Sequence, residues 1–380
     1  MRSFPLAARL PGVGHLPRVP LCNAPTPLET APRIGERLGG ESSGRSMGGL
    51  WVKRDDLTSS VYGGNKVRKL ELLLGEALAE QRRAVVTFGA YGSNHALATA
   101  VHATALGLEP HVVLSPQAPG PFAARTLRAH AGLGTHLHVV EDWDGEREAR
   151  RVAAELAARD GIEPAIIPMG GTSPLGALGY VNAALELSGQ MAPSDSAAAG
   201  GGSIDSRSGE LLPDVVYVAA GTLGTAVGLA VGFALAGAPT RVVAVRVTPA
   251  EVGNDRVARA LVEGTLVLLR ELDGSTPGLR NEDLRLELRE EWFEPGYGVV
   301  TPETTRAVEL AAEAGIVLET TYTGKALAAL IADARAGRLA GERVLFWDTY
   351  SSAPMPAAGP DEALPPVLRA YVAECDRLFG

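Results

Sequence analysis

Val215-Val216-Tyr217-Val218-Ala219-Ala220-Gly221-Thr222-Leu223-Gly224-Thr225-Ala226 reads as a packed strand that breaks on a glycine-rich turn and opens a helix. The β-branched run suits a buried pleated element, and the glycines let backbone N–H groups approach an anion at the helix start. A nicotinamide dinucleotide is disfavoured: its fingerprint is G-x-G-x-x-G with an acidic residue about 20 positions on. Here the spacing is G-x-x-G, and the next β-branched run ends in Arg246.

The same strand, turn and helix grammar extends outward. Strands are expected at Val85 to Phe88, Val112 to Leu114, Leu137 to Val140, Val215 to Ala219, Val242 to Val247 and Val344 to Trp347. A further strand begins near Leu50. Helices are expected at Lys66 to Glu80, Asn94 to Leu106, Glu146 to Arg159, Leu175 to Leu187 and Leu223 to Leu235. This alternation predicts an α/β protein with a doubly wound, mostly parallel sheet. Two stretches, Gly39 to Gly49 and Ser188 to Pro213, are rich in Gly, Ser and Ala and read as surface insertions.

The chain has 380 residues, 46% hydrophobic and 21% charged. Beyond about 250 to 300 residues a single core splits, so two domains are expected. A net charge of -9 opposes broad binding to nucleic acid or anionic lipid. Cys22 and Cys375 offer no disulfide framework, which fits a reducing cytoplasm. Prolines and glycines between Pro5 and Pro17 interrupt any signal-peptide core, and no apolar run is long enough to span a bilayer.

Three further places can carry chemistry. Gly63-Gly64-Asn65-Lys66 puts a lysine at a helix start, where burial would prepare its amine to form an imine; alone, a solvated lysine is the plainer reading. Gly89-Ala90-Tyr91-Gly92-Ser93-Asn94-His95 is a second turn suited to a carboxylate, although Ser93 or Asn94 can simply cap the helix and His95 can simply be packed. Glu319-Thr320-Thr321-Tyr322-Thr323-Gly324-Lys325, with Trp347-Asp348-Thr349-Tyr350-Ser351 after the last strand, offers an aromatic ring and hydroxyls for a heterocycle. His136 and His138 share one strand face, but no third ligand is near in sequence and no metal is expected.

Taken in order, KRDDLT (53–58), GGNKVRKLE (63–71), GSNHA (92–96), the segment Gly170 to Leu187, the GTLGT turn (221–225) and YTGKA (322–326) resemble the 1-aminocyclopropane-1-carboxylate (ACC) deaminase and D-cysteine desulfhydrase family. That family lies within the tryptophan-synthase-β-like, fold type II class of pyridoxal 5'-phosphate (PLP) enzymes. The resemblance runs from about Pro17 to Ser352. It implies that Lys66 carries PLP as a Schiff base and that Asn94 bonds the cofactor's ring hydroxyl. Gly221, Thr222, Leu223, Gly224 and Thr225 would cup the phosphate, and Tyr322, Thr323 and Thr349 would lie near the ring. Ser93, Asn94 and His95 match the loop that holds the substrate carboxylate; Ser93 and Tyr322 are the candidates to assist Lys66 in catalysis.

The implied organisation is a large PLP-binding domain from 1–67 and 171–380, interrupted by the 188–213 insertion, and a small α/β domain at 68–170, with PLP between them. ACC deaminases have Glu directly after the tyrosine and Leu in the loop after the last strand; Thr323 and Thr349 here match the desulfhydrase branch. Gly92 replaces a usual glutamine, and Asp348 to Ser351 replace a His-Thr-Gly-Gly loop, which puts D-cysteine itself in question. The expected activity is elimination of a β-substituent from a small amino acid, giving keto acid and ammonia, in a cytoplasmic homodimer. ACC deamination, racemisation and β-replacement are alternatives on this scaffold, and a non-catalytic ligand sensor is the alternative of another class.

Overall fold

The computed structural model describes residues 4–38, 47–142, 144–192 and 212–380. Most of both expected insertions, residues 39–46 and 193–211, lies outside the described residues. The strands are β1 (Leu28–Thr30), β2 (Gly49–Arg54), β3 (Ala84–Ala90), β4 (Glu109–Ser115), β5 (His136–Val139), β6 (Ala165–Ile167), β7 (Val215–Ala220), β8 (Arg241–Arg246), β9 (Leu286–Arg289) and β10 (Arg343–Asp348). The helices are α1 (Pro5–Arg9), α2 (Pro32–Leu38), α3 (Lys66–Ala79), α4 (Asn94–Ala105), α5 (Pro121–Leu133) and α6 (Gly145–Asp160). The second half adds α7 (Pro174–Met191), α8 (Gly224–Leu235), α9 (Asp255–Leu272), α10 (Pro302–Glu313), α11 (Thr323–Arg335) and α12 (Pro366–Phe379).

Two compact units are present, each with its own sheet. The first comprises 1–15, 24–56 and 177–350 and holds the order β1-β2-β10-β7-β8-β9. Among the described residues only β1 runs antiparallel, and every other pairing is parallel. β7 is buried at every position, as a strand covered on both faces must be. The second unit comprises 16–23, 57–176 and 351–380 and holds the all-parallel order β5-β4-β3-β6.

Every strand and helix expected from the pattern is present, with ends moved by a few residues. The largest shift is at α7, expected to stop at Leu187 before a mobile insertion but continuing to Met191. Its last turn is anchored: Gln190 Oε1 accepts from Lys53 Nζ at 2.6 Å, and Gln190 Nε2 donates to the Thr26 carbonyl at 2.8 Å. The units also divide the chain differently from the expected domains, since Lys66 and residues 351–380 fall in the second unit. The C-terminal segment is there because Leu368, Tyr371 and Val372 share a core with Ala123 and Leu127 of α5. Arg128 on α5 adds bidentate contacts to Asp361 and Asp376.

The KRDDLT segment is framework. Lys53, fully buried, donates to Glu186 Oε1 at 2.7 Å. Asp55 accepts from Thr26 Oγ1, Tyr180 Oη and Trp347 Nε1 at 2.7–2.8 Å. Arg54 forks onto both oxygens of Asp56 at 2.8 Å. These contacts tie β2 to α7 and β10, and α7 in turn packs closely on α8 because Gly228 and Gly232 have no side chains. A Cβ at Gly228 would lie 2.4 Å from the Ala177 carbonyl oxygen.

Candidate active site

In the second unit, the chain reaches Lys66 through a loop held by side chains. Thr58 Oγ1 donates to the Gly64 carbonyl at 2.9 Å, and Ser351 Oγ accepts the Gly63 N–H at 2.8 Å. Gly64 sits at φ +87°, a conformation that favours glycine. Lys66 is then the first residue of α3, half-buried, with Nζ donating to Asn65 Oδ1 at 2.7 Å. One turn on, Lys69 is fully buried and donates to the Gly170 carbonyl at 3.1 Å. Burial, and then the charge of Lys66, pushes the Lys69 ammonium well below its ordinary range.

Ser93 caps α4, its Oγ accepting the Ala96 N–H at 3.2 Å, so the plainer structural role is real. A hydroxyl that accepts in this way keeps its own proton to donate. Gly89 is required here: a Cβ would sit 2.5 Å from Ser93 Oγ. Gln117 Oε1 accepts the Gly92 N–H at 2.9 Å and braces the turn from β4's following loop. His95 turns inward, its Nε2 2.9 Å from Thr87 Oγ1. Burial, then Lys66 and Lys69, drives its pKa well below the usual histidine value, so its side chain is a neutral packed ring. Any part His95 plays in holding a carboxylate is left to its backbone.

Asn94 is oriented by residues that the sequence did not single out. Tyr62 Oη donates to Asn94 Oδ1 at 2.9 Å, which leaves the amide N–H donors of Asn94 to face a ligand oxygen. Tyr62 is itself fixed by His102, whose Nε2 donates to the Tyr62 carbonyl at 2.9 Å. Burial lowers the His102 pKa, keeping the imidazole neutral while it donates.

In the first unit, β7 ends at Ala220 and the GTLGT turn delivers Gly224 as the first residue of α8. Leu223 adopts φ +67°, the left-handed region costly for a branched side chain, and as the N-cap residue it has no polar side chain to cap the helix. A helix N-terminus reached through small residues and left to backbone N–H groups is what a phosphate needs. The turn is also kept open: a Cβ at Gly221 would lie 3.3 Å from the Tyr322 ring, and one at Gly253 would lie 2.6 Å from the Gly221 carbonyl oxygen. Tyr322 Oη is 2.9 Å from Tyr297 Oη, a second aromatic the sequence did not flag. Burial raises both phenols, Tyr297 to about 12; the neighbouring Tyr297 raises Tyr322 further, whereas the hydrogen bond with Tyr322 works against the rise at Tyr297. Lys325 of YTGKA anchors the Tyr297 loop through the Phe293 and Gly296 carbonyls at 3.1 and 3.2 Å.

Thr323 is buried, and its hydroxyl is engaged at the N-terminus of α11. Glu319 Oε1 accepts the N–H groups of Tyr322 and Thr323, each at 2.8 Å, and lies 3.2 Å from Thr323 Oγ1. Thr349 is buried immediately beyond β10, after Asp348. Asp348 Oδ1 accepts the Tyr350 N–H, while its buried Oδ2 has no partner among the described residues. Burial, and then Asp56, raises Asp348 well above the carboxylate range and favours its neutral form. Away from these segments, His136 and His138 share a face of β5 as read from the sequence, but His111 and Glu109 of β4 meet them there.

A family model described as pyridoxal-phosphate dependent enzyme matches residues 19–349. The chain belongs to that family. Its cofactor is therefore PLP, and the glycine cradle with its open helix N-terminus fits a phosphate. This PLP enzyme is 35% identical over 329 residues to D-cysteine desulfhydrase of Klebsiella pneumoniae, covering 85% of this chain and 90% of the relative. It is 36% identical over 368 residues to nocardicin C-9' epimerase of Nocardia uniformis, covering 95% and 100%. A solved structure described as an ACC deaminase homologue matches with TM-score 0.71 and 29% identity, covering 100% of both chains. The resemblance drawn from the motifs, and the mostly parallel fold type II architecture it implied, are both borne out. No helix among the described residues is long and apolar enough to cross a membrane.

Proposed function

We propose that this PLP enzyme eliminates a β-substituent from a small amino acid, in the manner of a D-cysteine desulfhydrase, releasing keto acid and ammonia. The observation that carries the reading is Lys66, the first residue of α3, presented by a glycine loop with its amine held by Asn65 Oδ1 at 2.7 Å. Bound PLP supplies the electron sink that stabilises negative charge at the substrate Cα. Lys66 Nζ would hold the cofactor and, once the substrate amine has replaced it there and freed the lysine, would take the proton from Cα. Asn94, steadied by Tyr62, donates to the cofactor's ring oxygen. Backbone N–H groups of Gly221 to Thr225 hold the phosphate. Ser93 donates its hydroxyl proton to the substrate carboxylate, and Tyr322, kept protonated by burial, is the donor for the leaving group. Thr323 and Thr349 place no carboxylate against the ring nitrogen.

A cytoplasmic homodimer acting on a free amino acid is the corresponding cellular form. The epimerase relative, matched over its whole length, favours racemisation as the second reading. One experiment separates them: the PLP-loaded enzyme is offered D-cysteine, β-chloro-D-alanine, their L-forms and ACC in deuterium oxide. Keto acid from the β-substituted D-amino acids supports elimination. Recovered substrate with inverted configuration and deuterium at Cα, without keto acid, replaces that reading with racemisation.

A further inference from the structure

We propose that Glu109, His111 and His136 form a site for a divalent transition-metal ion of the zinc class at the edge of the four-stranded sheet. The parallel register of β4 and β5 sets His111 directly opposite His136, and their rings stack with centroids 4.5 Å apart and planes 12° apart. Glu109 lies two positions before His111 and so points to the same face. Its Oε1 is 3.1 Å from His111 Nε2 and 3.0 Å from His136 Nε2. The ligand atoms of the three residues all lie within 4.8 Å of one another. Ligands of a tetrahedral zinc at about 2.0–2.1 Å stand roughly 3.3 Å apart, so the carboxylate-to-imidazole edges already match. His136 is exposed, so its ring has room to turn toward the remaining edge.

The surroundings have the features of a ligand set. His111 Nδ1 lies 3.1 Å from His138 Nε2, so with an ion in place His111 would donate Nδ1–H to His138 and turn its Nε2 lone pair toward the ion. A partner on the far nitrogen is what fixes the tautomer of a metal-binding histidine. The carboxylate is asymmetric: Arg159 Nη2 lies 3.3 Å from Oε2, which leaves Oε1 to bind through one oxygen. Arg159 is itself paired with both oxygens of Asp160, at 2.7 and 2.8 Å. Two imidazoles and one carboxylate leave a fourth position for water. The ion would staple β5, the edge strand, to β4.

The test uses the full chain in its PLP-loaded form, free of any histidine tag and treated with chelator. It is titrated with zinc chloride against a chromophoric competitor. One zinc per chain with micromolar affinity is expected, and His136→Ala and Glu109→Gln should each weaken it at least tenfold. Zinc should raise the melting temperature of the parent chain by a few degrees and leave that of His136→Ala unchanged. His136 is on the surface of an edge strand, so its loss leaves the fold intact. Absence of stoichiometric binding, or binding that survives His136→Ala, overturns the assignment.

Discussion

Replacing Thr323 by Glu, together with Thr349 by Leu, would copy the ACC deaminase pattern, but the cap of α11 predicts that the exchange fails alone. Thr323 Oγ1 lies 3.2 Å from Glu319 Oε1, and both Glu319 oxygens already accept backbone N–H groups. A carboxylate in that position meets Glu319 at about 4 Å. At an effective dielectric near 20, two negative charges there repel by about 4 kcal/mol, close to a thousandfold against both being ionised. The new group would take up a proton, or turn away, and give the ring nitrogen no negative partner. Adding Glu319→Gln removes the repulsion. It retains an acceptor for Tyr322 and Thr323 while sacrificing the Thr321 N–H contact at 2.7 Å, a cost of about 1–2 kcal/mol. Keto-acid release from ACC and from a β-substituted D-amino acid is to be followed as kcat/KM for the double and triple variants. ACC turnover should rise at least tenfold from the double to the triple variant. A comparable gain in the double variant, with Glu319 in place, would refute the reasoning.

Borohydride treatment of the resting enzyme should fix a pyridoxyl group on Lys66, read by peptide mass mapping, and Lys66→Ala should lower turnover at least about 100-fold. Glu186→Ala strips Lys53 of its buried partner and should cost about 3–5 kcal/mol in urea unfolding, whereas breaking the exposed Arg37–Glu313 pair should cost less than about 1 kcal/mol. For Asp348 the folded pKa is raised, so its favourable contribution is complete below the unfolded value near about 3.9 and is lost as pH rises through the folded value. Asp348→Asn should therefore be more stable than the parent at pH ~8, with the gap closing toward pH ~4, and equal urea midpoints at both pH values would contradict a neutral Asp348.

The strands and turns were legible because their signals are local. A β-branched run followed by glycine and a small-residue helix announces itself within a dozen positions, as at Val215 to Ala226. Contacts made across long stretches of chain were not. Lys53 and Glu186 are 133 positions apart, and only the packing of α7 shows that KRDD is a buried ionic framework. Tyr62, His102 and Asn94 form one chain of hydrogen bonds, yet each alone looks like an ordinary loop or helix residue. His136 gained its companions only through parallel pairing, which has no signature in spacing. Likewise, nothing in the composition of residues 351–380 says which core they join; Tyr371 and Leu368 decide it by packing on α5.

In the first unit, the framework and part of the proposed chemistry lie at strand ends for a physical reason. Open α/β sheets bind ligands beyond the carboxyl ends of their strands. Gly221 follows β7, Thr349 follows β10, and the Ser93 turn follows β3, so the candidate residues are drawn from such ends. Those ends are also where buried side chains converge. At the end of β2 and β10, that convergence takes the form of Asp55, Asp56 and Asp348, with Arg54 forked onto Asp56. Asp55 accepts from three donors, and burial favours the neutral form of Asp348, which lets three carboxyl groups share one buried corner. Rigidity there is what a turn such as Asp348 to Ser351 requires: Thr349 can be held beside a ring only if the residue before it does not move. The motif with the most charge thus works through position, while the residue proposed to lie beside the ring at this strand end, Thr349, is small and neutral.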